Sequence, residues 1–403
     1  MAEQLKVATF AELIGRGILE IGDGYRAKLN ELGGSGPLFF RAGLLNDRGL
    51  DWTDAERFHT ELIPRVKSKL SRAGDTVVTT KGNSVGRTGC IPPYAPPLVY
   101  SPHLSYWRSL DSSQLSPRFL YYWSRSSEFS TQLQGMASST DMAPYLSLSD
   151  QRRLRVSLPE ILVQNAAADV MEALDDKIEV NDQISADADQ LTASLLDQAF
   201  TYGETSHVEL SDVAVVNQRK VVPVSDGYLR YIDISCVSAG SIDWPERIPW
   251  SAAPGRARRG VHPGDTIWST VRPGRRSFAL ILDEDPELVV STGFAVLTPT
   301  NVGPAFLYEV TKRDEFVHYL ESVAEGSAYP AVRAERFGHA TIPLPPPSGL
   351  EWFEAAAMSL QRRVNAAHRE SRTLAVLRDT LLPGLVSGEI RVRDAEKIVE
   401  DTT

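Results

Sequence analysis

From Val163 to Phe200 the chain runs without a proline or a glycine. An uninterrupted polar and apolar alternation of that length reads as a single long helix. Val170, Leu174, Asn181, Ile184, Ala188, Leu191 and Leu195 recur at three- and four-residue steps, as in a coiled-coil seam, and Ile178 widens the stripe. At 1.5 Å per residue, roughly 35 residues span about 50 Å. That is a spacer's length.

A second stretch of this kind runs over about residues 351–382, with Phe353, Ala357, Leu360, Val364, Ala367, Leu374 and Leu381 on one stripe. It is expected to stop at Pro383-Gly384, a helix terminator. Shifted by 186 residues, Leu174, Ile178, Leu191, Leu195 and Leu196 fall on Leu360, Val364, Leu377, Leu381 and Leu382. The helices look like copies. The second carries Arg362, Arg363, Arg369, Arg372 and Arg378 where the first carries acids, so opposite charges are expected to flank a shared apolar seam. The interface predicted from these stripes is Leu174, Ile178, Ile184, Leu191 and Leu195 against Leu360, Val364, Leu374, Leu377 and Leu381.

The regions ahead of the helices correspond too, with offsets drifting from 192 to 184. Asp51-Trp52 matches Asp243-Trp244, Gly74-Asp75-Thr76 matches Gly264-Asp265-Thr266, and Pro117-Arg118-Phe119-Leu120-Tyr121 matches Pro304-Ala305-Phe306-Leu307-Tyr308. Between these landmarks lie short β-like runs such as VVTTK and TIWSTV, bounded by Gly, Pro and Asp. The expected class is therefore α+β: a mixed globular domain over residues 1–160, a long helix over 161–202, a second domain over 203–348, and a second helix with its tail over 349–403.

With 403 residues, 42% hydrophobic and 23% charged, the chain has the composition of a folded protein of two or three domains. No run approaches the roughly 18 apolar residues of a membrane span, and MAEQLKVATFAEL has no apolar signal core, which predicts a cytoplasmic protein. Cys90 and Cys236 stand alone and are expected in the core rather than in a disulfide or zinc site. The net charge of -10 argues against a protein coated in positive charge. That total misleads, because residues 158–206 alone hold 11 acidic residues against 1 basic, whereas residues 1–157 hold 19 basic against 15 acidic.

Catalytic motifs are not found. Ile91-Pro92-Pro93-Tyr94 is one residue from the loop of amino-methyltransferases, but isoleucine offers no acceptor for a target amino group. The run from Lys81 to Gly89 is glycine-rich without P-loop spacing, the seven histidines are scattered, and no G-x-S-x-G elbow is present. No metal site and no cofactor is expected in this chain. What the globular halves offer is cations in turns. The loop after VVTT presents Lys81, Asn83, Ser84 and Arg87 among glycines, where the backbone can approach a phosphate while a side chain reaches a base edge. Its counterpart after TIWST presents Arg272, Arg275 and Arg276 around Pro273-Gly274, with Arg256, Arg258 and Arg259 upstream. Gly24-Tyr25-Arg26-Ala27-Lys28 and Gly326-Ser327-Ala328-Tyr329-Pro330 add Tyr25, Arg26, Lys28 and Tyr329 as further candidate contacts to sugar, phosphate or base.

The tandem of globular domain and long helix, together with the C-terminal string from Leu377 to Ile390 (LRDTLLPGLVSGEI), resembles the specificity subunit of a Type I restriction-modification system. Leu174 to Phe200 resembles the family's first conserved region, the C-terminal string its second, and Gly74-Asp75 followed by VVTTKGNSVGRTG its target-recognition domains. The second half departs from the pattern, with Val271-Arg272-Pro273 where the glycine-rich loop is expected. The resemblance implies a subunit without catalysis of its own, whose two domains each read one half of a bipartite DNA target. It implies that the helices pair as an antiparallel coiled coil that fixes the distance between half-sites. Half-sites one helical turn apart lie roughly 34 Å from centre to centre, within reach of such a rod. The implied partners are double-stranded DNA, two methylation subunits that use S-adenosylmethionine, and endonuclease-translocase subunits that use ATP and magnesium. The rival reading is a protein-binding scaffold built on the paired helices, and an enzyme acting directly on nucleic acid comes third.

Overall fold

The repeat seen in the sequence is a repeat of structure. The computed structural model describes residues 6–46, 49–137 and 145–402. The chain divides into two compact units, Met1–Ile178 with Ser371–Thr403, and Glu179–Glu370, so that each long helix contributes residues to both.

In the first unit the strand Lys6–Thr9 pairs antiparallel with Arg155–Leu158. An antiparallel sheet follows, in the order Leu19–Asp23, Leu104–Ser109, Thr76–Thr79, Thr88–Cys90. A short parallel pair joins Leu38–Phe40 to Leu98–Tyr100. The second unit repeats each part. Ser206–Glu209 pairs with Thr341–Leu344, and the sheet order is Ala214–Val216, Phe294–Pro299, Thr266–Ser269, Phe278–Leu280. Its parallel pair, Tyr228–Ile232 with Leu288–Ser291, is widened to four strands by Arg247–Pro249 and Ala257–Gly260.

The Gly-Asp landmark explains why these positions are shared. Gly74 (φ 83°) and Gly264 (φ 97°) sit in the left-handed region, where only glycine is unstrained, and each donates to a carbonyl across the sheet, Ile91 and Ile281. The following aspartates are buried and close the turn by accepting from the Arg72 and His262 amides. A buried carboxylate needs a cation or donors. Asp75 takes Arg108 at 2.6 and 2.7 Å and the Tyr100 hydroxyl, whereas Asp265 takes Arg219 and the Thr298 hydroxyl. The landmark is thus a structural device.

The first core gathers Phe10, Trp107, Trp123 and Phe129 with Met171, Leu174, Leu374, Leu377 and Leu381 of the two helices. The second gathers Trp268, Phe278, Phe306, Phe316 and Phe337 with Leu196, Ala199, Phe353 and Ala357. The helices run Ile161–Ala199 and Pro347–Ser387. Within the second unit Trp352 stacks on Tyr202, and Asn181 Nδ2 donates to the Glu370 carboxylate at 2.9 Å. Partners ascend along one helix as they descend along the other, which makes the pair antiparallel. In the first unit Asp175 accepts from Arg378 at 2.7 Å.

Three expectations are corrected. The buried line on the first helix passes through Leu174, Asn181, Ala188, Thr192, Leu196 and Ala199, and Leu191 is 49% exposed. Ile184 is half-buried beside Ser185. A polar Thr192 can take the seam because its hydroxyl donates to the Ala188 carbonyl one turn back, as Ser185 does to Asn181. The second helix does not stop at Pro383 but runs through it to Ser387. An interior proline costs about 3 kcal/mol, and burial of Leu381, Leu382, Leu385 and Val386, each worth about 1.5 to 3 kcal/mol, outweighs that cost. Finally, the acids of the first helix are engaged by basic residues of the globular domains as well as by Arg378 of the second helix. Arg118 pairs with Asp169 and Glu172, Lys312 with Asp189, and Arg313 with Asp197. No helix among the described residues is long and apolar enough to cross a membrane.

Candidate nucleic-acid interface

Two hairpin loops carry most of the candidate residues, and they have one backbone. The first joins Thr76–Thr79 to Thr88–Cys90, the second Thr266–Ser269 to Phe278–Leu280. Thr79 N donates to the Arg87 carbonyl at 2.9 Å, and Ser269 N to the Ser277 carbonyl at 2.8 Å. Val85 N donates to Gly82, and Arg275 N to Arg272. Every one of these positions is offset by 190. Gly82 and Gly86 have φ of 87° and 89°, and their counterparts Arg272 and Arg276 have φ of 52° and 55°. The missing glycine-rich loop of the second half is present as a conformation, with arginine in both left-handed positions.

In the first loop Lys81 is exposed, with its ammonium 4.9 Å from the Tyr145 ring centre. Asn83 is exposed, and the Ser84 carbonyl accepts from Arg87 N. The Arg87 guanidinium turns inward to donate to the Leu45 carbonyl at 3.1 Å, so it serves the loop's own architecture. In the second loop Arg272 lies 4.4 Å from the centre of the Tyr329 ring, which is 69% exposed, and its backbone N donates to Pro330. Arg275 is exposed. Arg276 pairs with Asp314, whose carboxyl it holds below the usual range, and it also reaches the Lys312 carbonyl. An open cavity of about 370 Å³ lies beside this loop, lined by Arg272, Pro273, Gly274, Arg275, Glu321 and Pro330 among others.

Tyr25 is less available than its sequence context implied. Its hydroxyl donates to Glu31 at 3.1 Å, its ring packs edge-on against Phe58, and Arg65 lies over it at 5.7 Å. Burial, then Glu31, raises its pKa. Arg26 and Lys28 are exposed beside it. Upstream of the second loop Arg256 is exposed, Arg258 donates to its neighbour's carbonyl, and Arg259 is half-buried with its pKa lowered by that burial. Ile91 is core, 2% exposed. Both cysteines are half-buried, and burial pushes the Cys90 thiol up to about 12. Among the described residues no group of three or more His, Cys, Asp or Glu is placed to hold a metal.

Sequence reasoning missed Tyr145 and Glu321. The repeat does not point to Tyr145, because its place beside the second loop is held by Ala331, which bridges Val271 as Tyr145 bridges Lys81. Glu321 carries no local signal and is brought to the loop by folding alone.

No family model matches the chain. A stretch of 96 residues is 27% identical to the Type I restriction enzyme HindI specificity subunit of Haemophilus influenzae, covering 23% of this chain and about a fifth of that protein's length. Over 95% of this chain and 96% of the other, the fold matches the S subunit of the Type I restriction-modification system of M. genitalium, with a TM-score of 0.59 and 16% sequence identity. In fold along nearly its whole length, and in sequence along about a quarter of it, this chain resembles the specificity subunits of Type I restriction-modification systems.

Proposed function

We propose that the chain is the DNA-recognition subunit of a Type I restriction-modification complex and reads a bipartite target, one half-site per globular copy. The observation that carries this reading is the matched pair of loops. The same backbone, at a constant offset of 190, presents Lys81 and Asn83 in one copy and Arg272 and Arg275 in the other. An exposed turn fixed on both sides by a sheet is a suitable carrier for base and phosphate contacts. Arg26 and Lys28 add cations to the first copy, and Tyr329 adds a ring to the second.

On this reading the antiparallel helices are the element that sets the spacer between half-sites. Catalysis resides elsewhere, with methylation subunits that bind S-adenosylmethionine and nuclease-translocase subunits that use ATP and magnesium, all acting in the cytoplasm. The acids that remain exposed on the first helix, such as Asp176 and Glu179, repel phosphate and belong on a face turned away from DNA.

The test is DNA binding by the assembled complex across a salt series. A recognition subunit gives affinity that falls linearly in a log-log plot, with a slope that lessens by about one for each phosphate-contacting cation removed. Lys28→Ala is expected to behave in this way. Affinity indifferent to salt and to both loops would favour a protein scaffold instead.

A further inference from the structure

Among the described residues four that are not glycine have positive φ, and they are Asn217, Asp226, Arg272 and Arg276. Asn and Asp tolerate the left-handed region because their short side chains bond the local backbone. Arginine has no such relief, and the first copy has glycine at both equivalent positions, Gly82 and Gly86. Each arginine is therefore held against a backbone preference, and each calls for a reason.

For Arg276 the fold supplies one. Its guanidinium pairs with Asp314 and reaches the Lys312 carbonyl, tying the loop to the start of the helix Asp314–Ser322. For Arg272 it does not. Among the described residues no carboxylate pairs with it, and its one side-chain hydrogen bond there, to the Ala328 carbonyl, is long at 3.4 Å. What holds it is the Tyr329 ring at 4.4 Å. A ring face sets the plane of a guanidinium and leaves the N–H donors on its rim free.

The two common uses of a DNA-facing arginine differ in what they require. A phosphate accepts a cation from many directions, whereas a bidentate contact to guanine O6 and N7 needs a planar fork held in one orientation. Glu321 lines the cavity beside Arg272 and disfavours an anion there. In the first copy Lys81, a point charge without a fork, lies over Tyr145, whose place in the second copy is taken by Ala331.

We propose that Arg272, oriented by Tyr329, is a specificity-determining residue that reads a guanine edge in the half-site of the second copy. This rests on the DNA-recognition reading above. The experiment is selection from a DNA library degenerate in both half-sites, using the complex of this chain with its methylation subunits, for the parent and for Arg272→Gly, Arg272→Lys and Tyr329→Ala. Glycine restores the residue type of the first copy and removes the backbone strain, so the thermal midpoint is expected to stay near the parent's. Discrimination for guanine is expected to fall at one position of one half-site by about 5- to 150-fold, the range of a good bidentate contact. Arg272→Lys, which keeps the charge, should lose it as well, and Tyr329→Ala should weaken it. Uniform loss over all sequences with a reduced salt slope would make Arg272 a phosphate contact and overturn the assignment, as would an unchanged selection. A parent complex that selects no sequence at all would overturn the recognition reading itself.

Discussion

Arg272 and Arg276 have the same residue type, nearly the same φ and positions four residues apart in one loop, yet only one is accounted for by the fold. Left-handed non-glycine residues cost on the order of 1 to 3 kcal/mol each, and Arg276 offsets part of that through Asp314. A second residue-scale contrast lies in the short helix Pro304–Lys312. Glu309 is buried, and burial raises its pKa while Lys312, at 2.9 Å, opposes the rise. Removing Lys312 leaves a buried carboxylate without its hydrogen-bonded cation, and the pull of Arg313 that remains is weaker. Lys312→Met is expected to cost about 3 to 5 kcal/mol at neutral pH in denaturant titrations of the full chain. The sign with pH follows from the raised pKa. A carboxyl that binds its proton more tightly when folded contributes stability at low pH and loses it as pH rises through the folded value. The Lys312→Met deficit should therefore shrink from pH 7.5 towards pH 5, and a deficit that grew on acidification would refute this account. Lys312 lies three residues from Glu309 on one helix, a spacing the sequence shows, but the partners of the two arginines are not visible there. Composition shows that arginines cluster in the second loop, but which are free depends on Asp314 and Tyr329, 38 and 57 residues away.

At the scale of elements, the long helices were legible because nothing breaks them, and their boundaries were less so. Hydrophobicity drew the seam through Leu191, but the buried position is Thr192, whose hydroxyl is satisfied within its own helix. The two assignments separate cleanly. Leu374→Ala, in the buried line of the second helix, should destabilise by about 2 to 5 kcal/mol, and Leu191→Ala by less than about 0.5 kcal/mol. Equal losses would restore the stripe read from sequence. Pro383 misled for a related reason. Local propensity ends a helix there, but four buried aliphatic neighbours carry it on to Ser387, where Gly388 (φ 70°) ends it. Propensity is decided within a turn, burial by the whole unit.

For the whole molecule, duplication was the most readable feature. Landmarks such as Gly74-Asp75 and Gly264-Asp265 survive because identical turns need them, although their buried carboxylates found different cations, Arg108 and Arg219. The second loop shows the limit of that reading. Its two left-handed glycines have become arginines while its backbone has stayed, so the likeness of the loops lies in φ values and hydrogen bonds rather than in letters. A chain with two such copies and a helix pair suits a target of two half-sites with a spacer of fixed length. The measurement that tests this most directly is methyladenine mapping across the host genome, in cells that carry the gene and in cells from which it is deleted. The account predicts that one bipartite motif, with a constant gap, loses its methylation on deletion. Loss of a single undivided motif, or an active methylation system whose motifs are unchanged by the deletion, would contradict it.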